Sequence, residues 1–88
     1  MAFKIRLYKR AKKELDHLDK ITSTRILEKL KVADFPFPPN LDAKKMRGEE
    51  RLYRLRVGEF RVIFEVDEKL REIWVRRIAS RGEVYFGY

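Results

Sequence analysis

The stretch Leu52-Tyr53-Arg54-Leu55-Arg56-Val57-Gly58-Glu59-Phe60-Arg61-Val62-Ile63-Phe64-Glu65-Val66 decides the fold. Its side chains alternate with a period of two, as a strand with one face against a core requires. Tyr53, Leu55 and Val57 fall on one face, with Leu52, Arg54 and Arg56 on the other. Phe60, Val62, Phe64 and Val66 continue the apolar face, opposite Arg61, Ile63 and Glu65. Gly58-Glu59 interrupts the pattern at its centre and reads as a two-residue hairpin turn. With that turn fixed, Val57 faces Phe60, Arg56 faces Arg61 and Arg54 lies opposite Ile63.

Outward from the hairpin, Asp67-Glu68-Lys69 makes a second turn, and Leu70 to Ile78, with Trp74, reads as a third strand. Upstream the period changes. Ile26, Leu27, Leu30 and Ala33 recur at helical spacing, and the helix they define must stop at Phe35-Pro36-Phe37-Pro38-Pro39, where prolines lack the N–H donor. Tyr8, Ala11, Leu15 and Leu18 form the stripe of an earlier helix, with Lys9, Arg10, Lys12 and Lys13 around its other sides. Asp19 and Thr22-Ser23 supply turn and N-cap chemistry between the two. Phe3, Ile5 and Leu7 alternate with Lys4 and Arg6 as a short opening strand. The class is α+β: an N-terminal strand, a helical hairpin, then a three-stranded antiparallel meander packed on the two helices. At 88 residues the chain is one domain, 1–88, with no internal repeat or linker.

The charged fraction is 41%, against about 25% in an average globular protein, and the net charge is +8. Such a surface attracts polyanions: nucleic acid first, then an acidic protein, then an anionic membrane. A thermophilic surface rich in Lys, Arg and Glu is the plainer explanation, and the absence of Gln and the single Asn (Asn40) fit it. There is no Cys, which excludes disulfides and thiolate chemistry, and with one histidine, His17, no zinc site or other cofactor is expected. The N-terminus carries charges where a signal peptide needs an apolar run, and no segment is long enough to span a bilayer, so a cytoplasmic protein is expected.

The arginines carry the sharper clue. Like charges placed opposite one another in a ladder cost roughly 0.2–1 kcal/mol on the pair scale, so Arg56 facing Arg61 is a poor choice for stability alone. Arg54 shares their face, and Arg81 follows the last strand. One arginine is ordinarily the solvated side of a strand; four converging on one surface make an anion site able to hold phosphates bidentately.

The hairpin resembles the central hairpin of the RelE/ParE toxins. Lys45-Met46-Arg47-Gly48 before it is similar to that family's K-L-x-G lead-in, and Ile78-Ala79-Ser80-Arg81-Gly82-Glu83-Val84-Tyr85 to its closing hydrophobic…H-R-x-x-V-Y. The likeness covers nearly the whole chain and points to a short, archaeal-like member of the RelE type. It implies a RelE-like sheet with a basic groove, and a ribosome-dependent endoribonuclease that cleaves mRNA in the A site. The resemblance places Arg54, Arg56, Arg61, Arg81 and the base-stacking Tyr85 in the catalytic set. Lys44, Lys45 and Arg47 would belong to a loop feeding the groove, and Arg76 and Arg77 would add RNA or ribosome contacts. It further implies an acidic RelB-like antitoxin, with a toxin–antitoxin heterotetramer as a compatible assembly.

The expected chemistry is metal-free: the ribose 2′-hydroxyl attacks the neighbouring phosphate and the 5′-oxygen leaves. The protein must align the groups, stabilise charge on the phosphorane and move protons. Arginine suits the second task and is a poor base. Other members of the family carry lysine at the strand positions, and Ser80 stands where a histidine often precedes the arginine. The general base is therefore left open among Lys44, Lys45, Glu59, Glu83 and a ribosomal group. His17 reads as a surface or packing histidine. Two alternatives stand beside the nuclease: a ParE-type toxin that poisons DNA gyrase, and a catalytically inactive basic module that binds the ribosome or RNA.

Overall fold

A computed structural model describes residues 3–31, 42–48 and 51–83. The expected order is present, with one strand more than the sequence reading gave. The elements are β1 (Lys4–Leu7), α1 (Lys9–Asp16), α2 (Lys20–Lys31), β2 (Ala43–Lys45), β3 (Leu52–Val57), β4 (Phe60–Asp67) and β5 (Glu72–Ser80). They make a five-stranded sheet in the order β1-β5-β4-β3-β2. The central hairpin has the expected register: Val57 pairs Phe60, Arg56 pairs Arg61 and Arg54 pairs Ile63. Gly58 sits at φ 59°, the left-handed region that a tight hairpin turn demands and glycine enters without steric cost.

The added strand, β2, pairs antiparallel with β3, with Lys44 opposite Arg54 and Lys45 opposite Tyr53. Three residues, two of them lysines, carry no readable alternation, so this segment reads as loop in the sequence. The third meander strand starts two residues later than expected: Leu70 is exposed in the turn, and Arg71 takes a positive φ of 55° to bring the chain back. At the other margin β1 joins β5 in parallel, with Lys4 opposite Glu72 and Leu7 opposite Val75.

The core lies between one sheet face and the helices. Ala11 and Leu15 of α1 and Ile26 and Leu30 of α2 are buried against Leu55, Val62, Phe64, Ile73 and Val75. Each of the larger side chains withdrawn from water contributes about 1.5–3 kcal/mol, which is what holds two short helices on the sheet. Tyr8 departs from the expected stripe. It precedes α1, is 39% exposed, and donates its hydroxyl to Glu65 (2.8 Å). Asp19 does cap α2, accepting from the Thr22 backbone N–H (2.6 Å) and hydroxyl (3.1 Å), and these bonds hold its carboxyl below the usual range. Ala33 and the proline stop at 35–39 lie outside the described residues.

Strand β5 contains a register shift opposite Ile63/Phe64: Phe64 pairs Val75 but Ile63 pairs Arg77, leaving Arg76 as the extra residue. The bulge restores Ile78 to the core side after Ile73 and Val75, two positions of opposite parity. The sheet face away from the main core is not wholly polar. Leu52, Ile63 and Ala79 are buried there with Met46 against them, a small apolar patch beneath the arginines.

Candidate nucleic-acid interface

The ladder arranges the face away from the helices in rows. One row carries Arg56, Arg61 and Ala79; the next carries Lys44, Arg54 and Ile63. Paired residues in an antiparallel ladder point to the same side, so four cations occupy adjoining positions at the hairpin end. Arg56, Arg61 and Arg81, with Gly58, Glu59 and Ser80, line a hollow of about 410 Å³ there.

Each guanidinium is held in its own way. Arg61 donates Nη1 to the carbonyls of Gly58 (3.0 Å) and Phe60 (3.0 Å), folding against the hairpin turn. Arg56 meets Asp42 through Nε at 3.3 Å in an exposed pair, while its backbone N–H donates to the Asp42 carbonyl (2.9 Å). Arg81 is fixed through its backbone, whose N–H donates to the Glu59 carbonyl (3.0 Å). Exposed ion pairs of this kind contribute about 0–1 kcal/mol and exchange readily for a phosphate. A larger hollow, about 610 Å³, lies near Arg51, Tyr53, Asp67, Glu68, Lys69 and Leu70. Its two carboxylates oppose a polyanion, so charge favours the smaller one.

The other expected site residues divide. Lys44 joins the basic face; Lys45, one residue on in the same strand, pairs Tyr53 and belongs to the opposite side. Both are on strand β2, not on a loop as expected. Arg47 is exposed in the turn that follows. Arg76 is removed from the hollow: its Nη1 pairs with Glu65 (2.6 Å) and its guanidinium stands 5.1 Å from the Tyr8 ring. Arg77 does not face solvent as an RNA contact would. It is 6% exposed, donating Nη2 (2.9 Å) and Nε (3.3 Å) to Glu14 and Nη1 to the Glu83 carbonyl (2.9 Å). Tyr85 lies outside the described residues.

Among the candidate bases, Glu59 stands at the hollow and Glu83 accepts from the Ser80 hydroxyl (3.3 Å). His17 is exposed on the helix side, with Nδ1 donating to the Lys13 carbonyl (2.7 Å), as a surface histidine would. The residue that sequence reasoning missed is Glu14. It sits in the stripe of Ala11, Leu15 and Leu18, where a carboxylate among apolar neighbours signals a buried partner.

Residues 5–85 match the family model described as the ParE toxin of type II toxin–antitoxin systems. The chain is 32% identical over 88 residues to the RelE1 protein of Methanocaldococcus jannaschii, covering 97% of each. Its structure resembles the archaeal RelE of a RelE–RelB complex from Pyrococcus horikoshii, at 31% identity and a TM-score of 0.77, covering 93% of this chain and 98% of that one. A RelB–RelE antitoxin–toxin complex from Methanococcus jannaschii gives 28% identity and a TM-score of 0.73, over 91% and 94%.

Proposed function

The chain belongs to the RelE/ParE superfamily of toxins, and on that premise we propose that it is a ribosome-dependent endoribonuclease that cuts mRNA in the A site and stops translation in the cytoplasm. The observation that carries the reading is the meeting of Arg56, Arg61 and Arg81 around one hollow, with Arg56 and Arg61 directly opposed in the ladder. A stability-driven sheet avoids that pairing; a site that must hold a dianionic phosphorane gains from it.

In this reading Arg61 and Arg81 hold the scissile phosphate, and Arg54, Arg56 and Lys44 hold its neighbours. The attacking 2′-hydroxyl gives up its proton to Glu59 or to a ribosomal group, and an arginine N–H shields the departing 5′-oxygen. Tyr85 stacks on a base, a contact worth roughly 1–3 kcal/mol. Because the arginines stabilise charge but do not themselves align the RNA, the ribosome supplies the in-line geometry. The partner is an acidic RelB-like antitoxin, as in the archaeal complexes, whose carboxylates would cover these same arginines and switch them off.

Primer extension on mRNA from translating ribosomes tests this. Cuts confined to A-site codons, absent with Arg81→Ala, are expected. The ParE-type description of the matching family model supports one other reading, a gyrase poison. Induced cells that keep translating while accumulating DNA breaks would establish that reading and sink the nuclease.

A further inference from the structure

We propose that Glu14 is a positioning residue for the groove, acting through Arg77 on the segment that carries Arg81; the inference rests on the nuclease reading above. It starts from a gap in the sheet. β1 pairs with β5 only from Glu72 to Val75, and Tyr8 N–H donates to the Val75 carbonyl (2.9 Å) at the end of that margin. Beyond it, among the described residues, no strand flanks the outer side of β5, although Ile78 and Ala79 are buried there and their polar backbone must be satisfied.

Glu14 fills the gap from α1. Its Oε1 accepts the Ile78 backbone N–H (2.8 Å), and its Oε2 accepts both Nη2 and Nε of Arg77. Arg77, so oriented, donates Nη1 to the Glu83 carbonyl (2.9 Å), across the turn that contains Arg81. Arg81 N–H in turn reaches the Glu59 carbonyl (3.0 Å), on the far wall of the hollow. One carboxylate on a helix thus fixes the end of β5 and the turn after it. Arg77 is the one buried charged residue among those described, and its charge is spent on this clamp and not on a ligand.

The contacts place Glu14 outside the hollow, so its loss should lower turnover at bound ribosomes while leaving binding in place. In single-turnover cleavage of ribosome-bound mRNA, Glu14→Ala is expected to cut at least tenfold more slowly at saturation, with ribosome affinity changed less than threefold. Glu14→Gln keeps one oxygen for the Ile78 N–H but turns an NH2 donor toward Arg77, so it should hold the end of β5 yet still cut more slowly than the wild type; it also decides the matter if the alanine variant does not fold. Val66→Ala, a core truncation away from the hollow, controls for lost stability and should keep its rate when assayed below its melting transition. Amide exchange adds an independent readout: Ile78 and Arg81 N–H should exchange faster in Glu14→Ala and not in Val66→Ala. A Glu14→Ala rate equal to that of Val66→Ala, or unchanged Arg81 exchange, overturns the proposal. If the wild-type protein does not cut at all, the nuclease reading fails, and the exchange data alone judge the clamp.

Discussion

The sheet face away from the helices carries arginines at two places, held differently. Toward β1, Arg6 meets Glu72 (2.7 Å) and lies 6.0 Å from the Trp74 ring, and Arg76 meets Glu65 (2.6 Å). Tyr8 and Trp74 stand edge to face between them, 5.5 Å apart. Each cation there has its carboxylate, and the corner closes on itself. At the hairpin end, Arg61 is folded on backbone carbonyls, Arg56 faces it across the ladder and meets an exposed Asp42, and Glu59 lines the hollow beside them. Neutralised arginines tie strands together; arginines held by dipoles keep their charge for a ligand. Burial adds a further case, since Arg77 is paired as fully as any corner arginine but out of solvent.

The comparison breaks most visibly at Arg77. Arg77→Ala leaves the partly buried Glu14 without its cation and should cost roughly 1–3 kcal/mol of stability, measured by urea unfolding. Arg76→Ala, which opens a pair whose cation is about a third exposed, should cost at most about 1 kcal/mol in the same assay. Equal losses would remove the distinction drawn here. Arg61→Ala should slow cleavage by about 10²–10³, the usual consequence of deleting one donor to a developing charge, with the unfolding midpoint in place. Arg6→Ala should leave the cleavage rate alone.

A smaller effect separates the two sides of β2. Lys44→Ala should weaken ribosome binding a few-fold and reduce the salt dependence by about one counterion, while Lys45→Ala changes neither. Identical behaviour would mean that charge alone, and not the face, governs binding.

The smallest effect concerns acid. Hydrogen bonds from Thr22 lower the Asp19 carboxyl, and the bond from Arg6 with that from Trp74 lowers Glu72. Groups depressed by folding stabilise fully above their ordinary values of 3.8 and 4.5, and that support is lost as pH falls through the lower folded values. Melting temperature should therefore fall on acidification through this window. Asp19→Asn, which keeps an oxygen for the Thr22 N–H, should flatten part of the decline; an unaltered profile would show that the cap is not ionic.

The hairpin was legible because two signals agreed: period-two alternation and a Gly turn that fixes register residue by residue. Helix stripes were legible at Ala11, Leu15, Ile26 and Leu30 for the same reason, a period that burial enforces. β2 was not, since three residues are too short to show a period. The site divided along similar lines. Arg56, Arg61 and Arg81 followed from register and from the family likeness. Arg77 was placed among the RNA contacts by the family likeness and not by strand parity, and a linear reading of β5 does not show that Glu14 of α1 packs against it. The step of parity from Ile73 and Val75 to Ile78 is the trace that the bulge at Arg76 leaves in the sequence.

The parallel pairing of β1 with β5 has a consequence for how the chain is made. Lys4 finds its partner only at Glu72, so nearly the whole domain must exist before the first strand can dock. Closing so long a loop is entropically slow, and contacts of this separation form late in folding. During vectorial synthesis the N-terminal strand must wait, exposed, while the hairpin and β5 emerge. Any factor that binds the waiting strand would delay maturation of the whole sheet without touching a single arginine.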